Sequence, residues 1–197
     1  MRLFIAIKAE DEVRRSVAEL QGSLRKQRVR GRYVPRDGLH ITMAFIGEYD
    51  DPDAVLEAMS SVSFRPFNIT ADRTGRFGEI RWAGFSDSAE LDDLAGKLRA
   101  ALDKAGIPFD RKRFRAHITF LRGPRGAAEE AHAKLGYGEP GLNGPGRGRT
   151  SGIRAERNGP GPVISPGSMT VDRVCLFRSD RGRDGMVYTE LGSLRSV

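Results

Sequence analysis

The sequence predicts an α+β protein: two pseudo-symmetric lobes, each an antiparallel sheet with outer helices, around a central cleft. Three observations carry that expectation. The tripeptide His-Ile-Thr occurs twice, at His40-Ile41-Thr42 and His117-Ile118-Thr119, each inside an alternating apolar run that ends in glycine. Each copy follows a helical pattern and a basic loop and precedes another helical pattern, so the order of elements repeats. The alternation has the two-residue period of a strand with one face on a core and one on a cleft.

The elements follow in order. Residues 3–7 are continuously apolar, as in a central strand covered on both faces. Val13, Val17, Leu20 and Leu24 have helical spacing, with Glu10, Asp11 and Glu12 ahead of them and Arg25, Lys26 and Arg28 behind, matching the helix dipole. In the first His-Ile-Thr strand, Leu39, Ile41, Met43 and Phe45 form one face and His40, Thr42 and Ala44 the other. Asp51-Pro52 is an N-cap with proline at the first helical position, opening a helix through Val55, Leu56, Met59 and Val62. Residues 64–70 and 80–85 read as strands around a turn-rich segment with Gly75 and Gly78. Ser88 caps a helix carrying Leu91, Leu94, Leu98 and Leu102, which Gly106 ends and Pro108 confirms. In the second motif strand Ala116, Ile118 and Phe120 alternate with Arg115, His117, Thr119 and Leu121, and Arg113 extends the polar face if the strand begins early. A helix over 127–135 follows, and residues 169–178 and 186–191 read as a closing hairpin.

A chain of 197 residues is long enough for one core, and the expectation is one bilobal domain over residues 1–197. Residues 138–162 are a Gly/Pro/Arg-rich insertion with eight glycines and four prolines, read as solvated, with a basic flap over the cleft as the sharper alternative. The net charge of +7 points to a polyanionic partner, and it is concentrated beside the two motifs. Arg25, Lys26, Arg28, Arg30, Arg32 and Arg36 precede the first; Arg111, Lys112, Arg113, Arg115, Arg122 and Arg125 surround the second. One cysteine, Cys175, allows no internal disulfide and reads as a buried, inert thiol, consistent with a cytoplasmic location. The apolar run 3–7 is too short for a signal segment, no run approaches membrane-spanning length, and no membrane partner is expected.

On a strand, residues i and i+2 share a face, so each copy projects an imidazole beside a hydroxyl while the isoleucine points away. Two such strands side by side would set two titratable rings and two hydroxyls around one cleft. That is an acid/base site without a metal: there is no H-E-x-x-H pair or third ligand, and no cofactor motif.

The segments His-Ile-Thr-Met-Ala-Phe-Ile-Gly (40–47) and His-Ile-Thr-Phe-Leu-Arg (117–122) resemble the double His-x-Thr signature of the two-histidine phosphoesterase superfamily. The likeness is to its RNA 2',3'-cyclic phosphodiesterase / 2'-5' RNA ligase branch. The two histidines stand 77 positions apart in matching strand contexts. The start of the chain, the Val34-Pro35 lead into Leu39-His40 and the terminal hairpin with Tyr188 fit as well, and only the insertion falls outside the likeness. The resemblance implies His40 and His117 as catalytic acid and base, Thr42, Thr119 and Arg122 as phosphate-binding residues, and no metal. It also implies RNA ends carrying a cyclic phosphate as partner and, with reversal, ATP-independent 2'-5' joining. Ala116 and Leu121 depart from the family pattern in packing positions.

A histidine of ordinary pKa near 6.5 can take a proton from water or return one to a leaving ribose oxygen, each role worth on the order of 10²–10⁴-fold in rate. The residues alone do not say which ring is the base. Alternatives are a non-catalytic module that holds RNA ends, or a phosphodiesterase for another cyclic nucleotide or a 2'-5' oligonucleotide. A monomer is expected. Trp82, Tyr33 and Phe45 could stack a base, with core roles favoured for Phe45 and Trp82, and His132 reads as exposed.

Overall fold

The computed structural model describes residues 1–85, 89–126, 164–183 and 185–197. Its elements are β1 (Arg2–Lys8), α1 (Asp11–Lys26), β2 (Arg30–Tyr33), β3 (His40–Glu48), α2 (Pro52–Ser60), β4 (Phe67–Phe77), β5 (Ile80–Phe85), α3 (Ala89–Lys104), β6 (His117–Arg125), β7 (Gly167–Val171), β8 (Arg173–Gly182) and β9 (Gly185–Arg195). The nine strands form one antiparallel sheet in the order β7-β4-β5-β6-β3-β1-β8-β9, with β2 added along β6. Only Asp172 separates β7 from β8, yet they stand near opposite ends of that path. The sheet therefore curls round into a half-barrel.

The duplication organises the sheet. β1, α1 and β3 correspond to β5, α3 and β6: each strand is followed by a 16-residue helix and then by a His-Ile-Thr strand that pairs with it. The halves meet where β3 and β6 pair antiparallel at Ile41↔Ile118, the central residues of the two motifs.

One face of the sheet carries the main core. Leu3, Ile5 and Ile7 of β1 and the two motif isoleucines lie in one buried cluster with Val13, Val17, Leu20 and Leu24 of α1 and Leu91, Leu94, Leu98 and Leu102 of α3. The helical spacing in the sequence is thus the spacing of buried positions. α2 starts as expected, with Asp51 Oδ1 accepting from Ala54 N at 3.0 Å and Pro52 opening the first turn, and Val62 lies just past its end. On the other face Phe4, Ala6, Cys175 and Phe177 form a second cluster, which explains why β1 is continuously apolar from Leu3 to Ile7.

Four expectations need correction. The strand expected over 64–70 runs instead from Phe67 to Phe77, because Gly75 pairs with Trp82 inside a hairpin whose turn is only Gly78-Glu79. The run 169–178 is two strands, β7 on β4 and β8 on β1, divided at Asp172. Part of the basic loop before the first motif is a strand, β2. β6 begins at His117, so Arg113 and Arg115 precede it rather than extend it. Ser88, the helix over 127–135 with His132, and the insertion 138–162 lie outside the described residues. Among the described residues no helix is long and apolar enough to cross a membrane.

Candidate active site

Pairing at Ile41↔Ile118 turns both isoleucines into the core and sends the flanking residues to the opposite face. Antiparallel sense then sets His40 across from Thr119 and Thr42 across from His117. All four are half-buried.

Beyond each motif the strand alternation breaks at the same place. β1 residues Ile5 and Ala6 pair with Ala44 and Thr42, skipping Met43; β5 residues Arg81 and Trp82 pair with Leu121 and Thr119, skipping Phe120. Each skipped residue lies three positions after its histidine, and each is a β-bulge that reverses the facing of the residues beyond it. Met43 and Ala44 are both buried, as are Phe120 and Leu121. The residue five positions after each histidine, Phe45 or Arg122, therefore joins the histidine face. This corrects three assignments: Ala44 lies in the main core with Ile41 and Met43 rather than beside Thr42, Leu121 is fully buried rather than beside Thr119, and Phe45 packs against the Phe4 and Phe177 cluster rather than with Ile41 and Met43.

A bulge disrupts the ladder locally, and the carbonyl of each skipped residue accepts from the helix of the other half. Gln21 of α1, itself buried, donates Nε2 to the carbonyls of Phe120 and Val34 at 2.9 Å each. Arg99 of α3 donates Nε to the Met43 carbonyl at 3.3 Å. Gln21 and Arg99 are both the eleventh residue of their helices, counted from Asp11 and Ala89. A lone polar residue between apolar helical positions is the only sequence signal for either.

The imidazoles are held alike. His40 Nδ1 lies 2.7 Å from the Gly38 carbonyl, and His117 Nδ1 lies 2.7 Å from the Arg115 carbonyl. A carbonyl only accepts, so each Nδ1 carries hydrogen and each Nε2 is left for proton transfer. Burial lowers the pKa of both rings below the ordinary imidazole value, and the carbonyl bond offsets this only in part. The Arg122 charge lowers both further, as do His117 for His40 and Arg115 for His117. Arg122 thus acts on both rings.

The walls differ. Phe4 packs on the His40 ring at 5.1 Å and Tyr188 meets it edge-on at 5.3 Å. These side chains, with Lys8, Asp37 and Phe177, line a pocket of about 150 Å³. His117 is met edge-on by Phe77 at 5.1 Å and by Trp82 at 6.4 Å. Trp82 lies across Gly75 and Gly84, where an added Cβ would come within 2.2 and 2.6 Å of its ring. Gly75, read from sequence as part of a turn, and Gly84 are thus a bed for an indole. Tyr33 donates its hydroxyl to the Val29 carbonyl and packs against the core. Cys175 is buried, and burial pushes its thiol up to about 11, out of nucleophilic range.

Comparison with known proteins finds a matching family, related sequences and similar folds. The family model described as the 2'-5' RNA ligase superfamily matches residues 9–183. A protein of Archaeoglobus fulgidus named RNA 2',3'-cyclic phosphodiesterase is 34% identical over 139 residues, 66% of this chain and 77% of its own. A protein of Thermotoga maritima with the same name is 30% identical over 132 residues, covering 62% of this chain and 70% of its own. Among solved structures, E. coli LigT in apo form superposes with a TM-score of 0.71 at 24% identity, over 99% of this chain and 96% of that one. A Thermus thermophilus protein does so with a TM-score of 0.68 at 26% identity, over 99% and 97%. The chain belongs to the 2'-5' RNA ligase superfamily.

Proposed function

We propose that this chain is a hydrolase that opens 2',3'-cyclic phosphates at RNA ends without a metal, leaving a 2'-phosphate, with the reverse reaction joining RNA ends in 2'-5' linkage. His40 and His117 are the acid/base pair, and Thr42, Thr119 and Arg122 bind the phosphate. The observation that carries this reading is the Ile41↔Ile118 pairing, which sets two imidazole–hydroxyl pairs on one face. The names of the curated relatives support the substrate class.

One neutral imidazole takes a proton from water at Nε2 as the water oxygen attacks phosphorus. The P–O3' bond breaks, and the departing oxygen takes a proton from Nε2 of the other, charged ring. Charge building on the non-bridging oxygens meets the threonine hydroxyls and the Arg122 guanidinium. Both rings are biased toward neutrality in the free protein. The bound phosphodiester brings a negative charge that opposes Arg122 and allows one ring to be protonated.

The test is turnover of an RNA oligonucleotide ending in a 2',3'-cyclic phosphate, in excess EDTA, with the product's phosphate position read by phosphorus NMR. Turnover to a 2'-phosphate, lost in His40→Ala and His117→Ala while RNA binding persists, is the expected result. Binding without turnover by the unaltered protein would leave a module that only holds RNA ends.

A further inference from the structure

Next to the histidine cleft runs a groove of about 1020 Å³ lined by Arg28, Arg30, Arg32, Arg122 and Arg125, with Glu79 as its one acid. Arg30 and Arg32 lie two residues apart on β2 and pair with Arg125 and Arg122 on β6. Four guanidinium side chains thus leave two neighbouring strands in two directly opposed pairs. Like charges so placed destabilise a sheet. None of the five arginines has an ion-pair partner among the described residues.

The backbone is built to hold them there. Gly31 has a φ of +145°, and a Cβ on it would come within 3.0 Å of the Arg122 and Gly123 carbonyl oxygens. A Cβ on Gly126 would come within 2.9 Å of the Arg28 carbonyl oxygen. Arg28 itself stands at φ +59°, the one described non-glycine residue with positive φ. A strand pressed this tightly on its neighbour, with a strained residue at its entrance, keeps the arginines in register. Arg122 lines this groove and lies on β6, on the same strand face as His117, so the groove begins beside the histidine cleft.

We propose that this groove binds the phosphodiester backbone of the RNA strand leading to the cyclic phosphate, so that the favoured substrate is a polynucleotide end rather than a mononucleotide. The inference rests on the function proposed above. Backbone contacts neutralise phosphates without reading bases, so the groove contributes affinity rather than sequence preference.

The test compares an RNA of about ten nucleotides ending in a 2',3'-cyclic phosphate with 2',3'-cyclic AMP. Two variants are used: Arg30→Gln/Arg125→Gln, and the charge-keeping Arg30→Lys/Arg125→Lys. The glutamine variant is expected to lower kcat/KM for the oligonucleotide about tenfold, through KM, and to leave the mononucleotide within twofold; the lysine variant restores the loss. Two lost phosphate contacts also flatten the log–log salt dependence by about 1.4, or about sevenfold between 50 and 200 mM salt. Equal losses on both substrates, an unchanged salt slope or no rescue by lysine would overturn the proposal. Fluorescence anisotropy with the same RNA ending in a 3'-phosphate reads the groove without turnover, so a protein that hydrolyses nothing fails the functional reading and still reports on the groove. Unchanged RNA binding with lost retention on phosphatidylserine vesicles would overturn the assignment to RNA.

Discussion

The two His-Ile-Thr strands share a tripeptide, a burial pattern over six residues, a bulge at the same position and a capping side chain at the same helical position. They differ in what stands five residues after the histidine: Phe45 in β3 and Arg122 in β6. The repeated features belong to the backbone, which must deliver an imidazole and a hydroxyl twice. The divergent ones belong to the walls, which decide charge and access. Aromatic rings pack on both histidines, but the His40 side closes into a small pocket, whereas the His117 side carries Arg122 and opens onto the arginine groove. A symmetric frame therefore carries an asymmetric site, as the proposed reaction with one acid and one base requires.

The sharpest way to break the comparison is to remove each ring. His40→Ala and His117→Ala are each expected to lower kcat by about 10²–10⁴-fold, and the double variant to lose little more, because acid and base act as a unit. Residual turnover should then divide the halves. The variant that has lost the base no longer falls off at low pH, and the variant that has lost the acid no longer falls off at high pH. Steady-state pH profiles of the two single variants check this, and identical profiles would mean that the halves do not play different parts.

Next come the non-matching pair. Arg122→Gln is expected to lower kcat about 10–10²-fold, whereas Phe45→Leu stays within a few-fold. The pH profile carries the sign. Burial and then Arg122 lower both histidines, so the kcat/KM optimum lies below the ordinary imidazole pKa of about 6.5. Removing the guanidinium lets both values rise, and the optimum moves to higher pH. An optimum that stays put would mean that Arg122 acts on the substrate alone.

How much of this is legible in sequence depends on periodicity. His40, Thr42, His117 and Thr119 can be placed on one face because a strand's period is two and nothing interrupts it within the tripeptide. Strict alternation puts Phe45 and Leu121 on the wrong faces because a bulge adds one residue without changing composition: Met-Ala and Phe-Leu look like any two apolar neighbours. Arg122 is identifiable by its position after the motif, and only the bulge explains how it reaches the histidine face. β2 is hidden because a four-residue run of Arg, Gly, Arg and Tyr has no apolar alternation, its place being fixed by the close approach at Gly31. The division of β7 from β8 is invisible for a similar reason, since a single residue, Asp172, parts them and only curling of the sheet sends them to different neighbours.

The bulge caps allow a finer test. Gln21→Leu leaves the Phe120 carbonyl with one donor fewer, Val34 N at 3.0 Å remaining, and removes the Val34 carbonyl's partner in a buried setting. The cost is about 1–3 kcal/mol of stability, read by urea denaturation. Because the bulge turns Arg122 onto the cleft face, kcat should fall several-fold as well. Arg99→Leu removes the matching cap from Met43, but Arg99 is half-exposed and the residue delivered is Phe45. Stability should fall by less, and kcat should hardly change. Equal kinetic effects would show that the bulges serve the fold and not the site.

The smallest effect is expected where the walls differ in polarity but not in shape. Tyr188 meets the His40 ring with an edge, and its contacts are those of the ring: Phe4 at 5.1 Å and His40 at 5.3 Å. Tyr188→Phe keeps both contacts and the pocket volume, so kcat/KM on 2',3'-cyclic AMP should stay within about twofold, in line with a volume-conserving swap. The comparison across the cleft is Gly75→Ala, which adds one methyl where the Trp82 ring already lies and so must displace the indole that packs on His117. One methyl in the second half should therefore cost more activity than one hydroxyl in the first. If Tyr188→Phe proved the more damaging, its hydroxyl would have to contact the substrate, and the aromatic wall would be a recognition surface rather than packing for the imidazole.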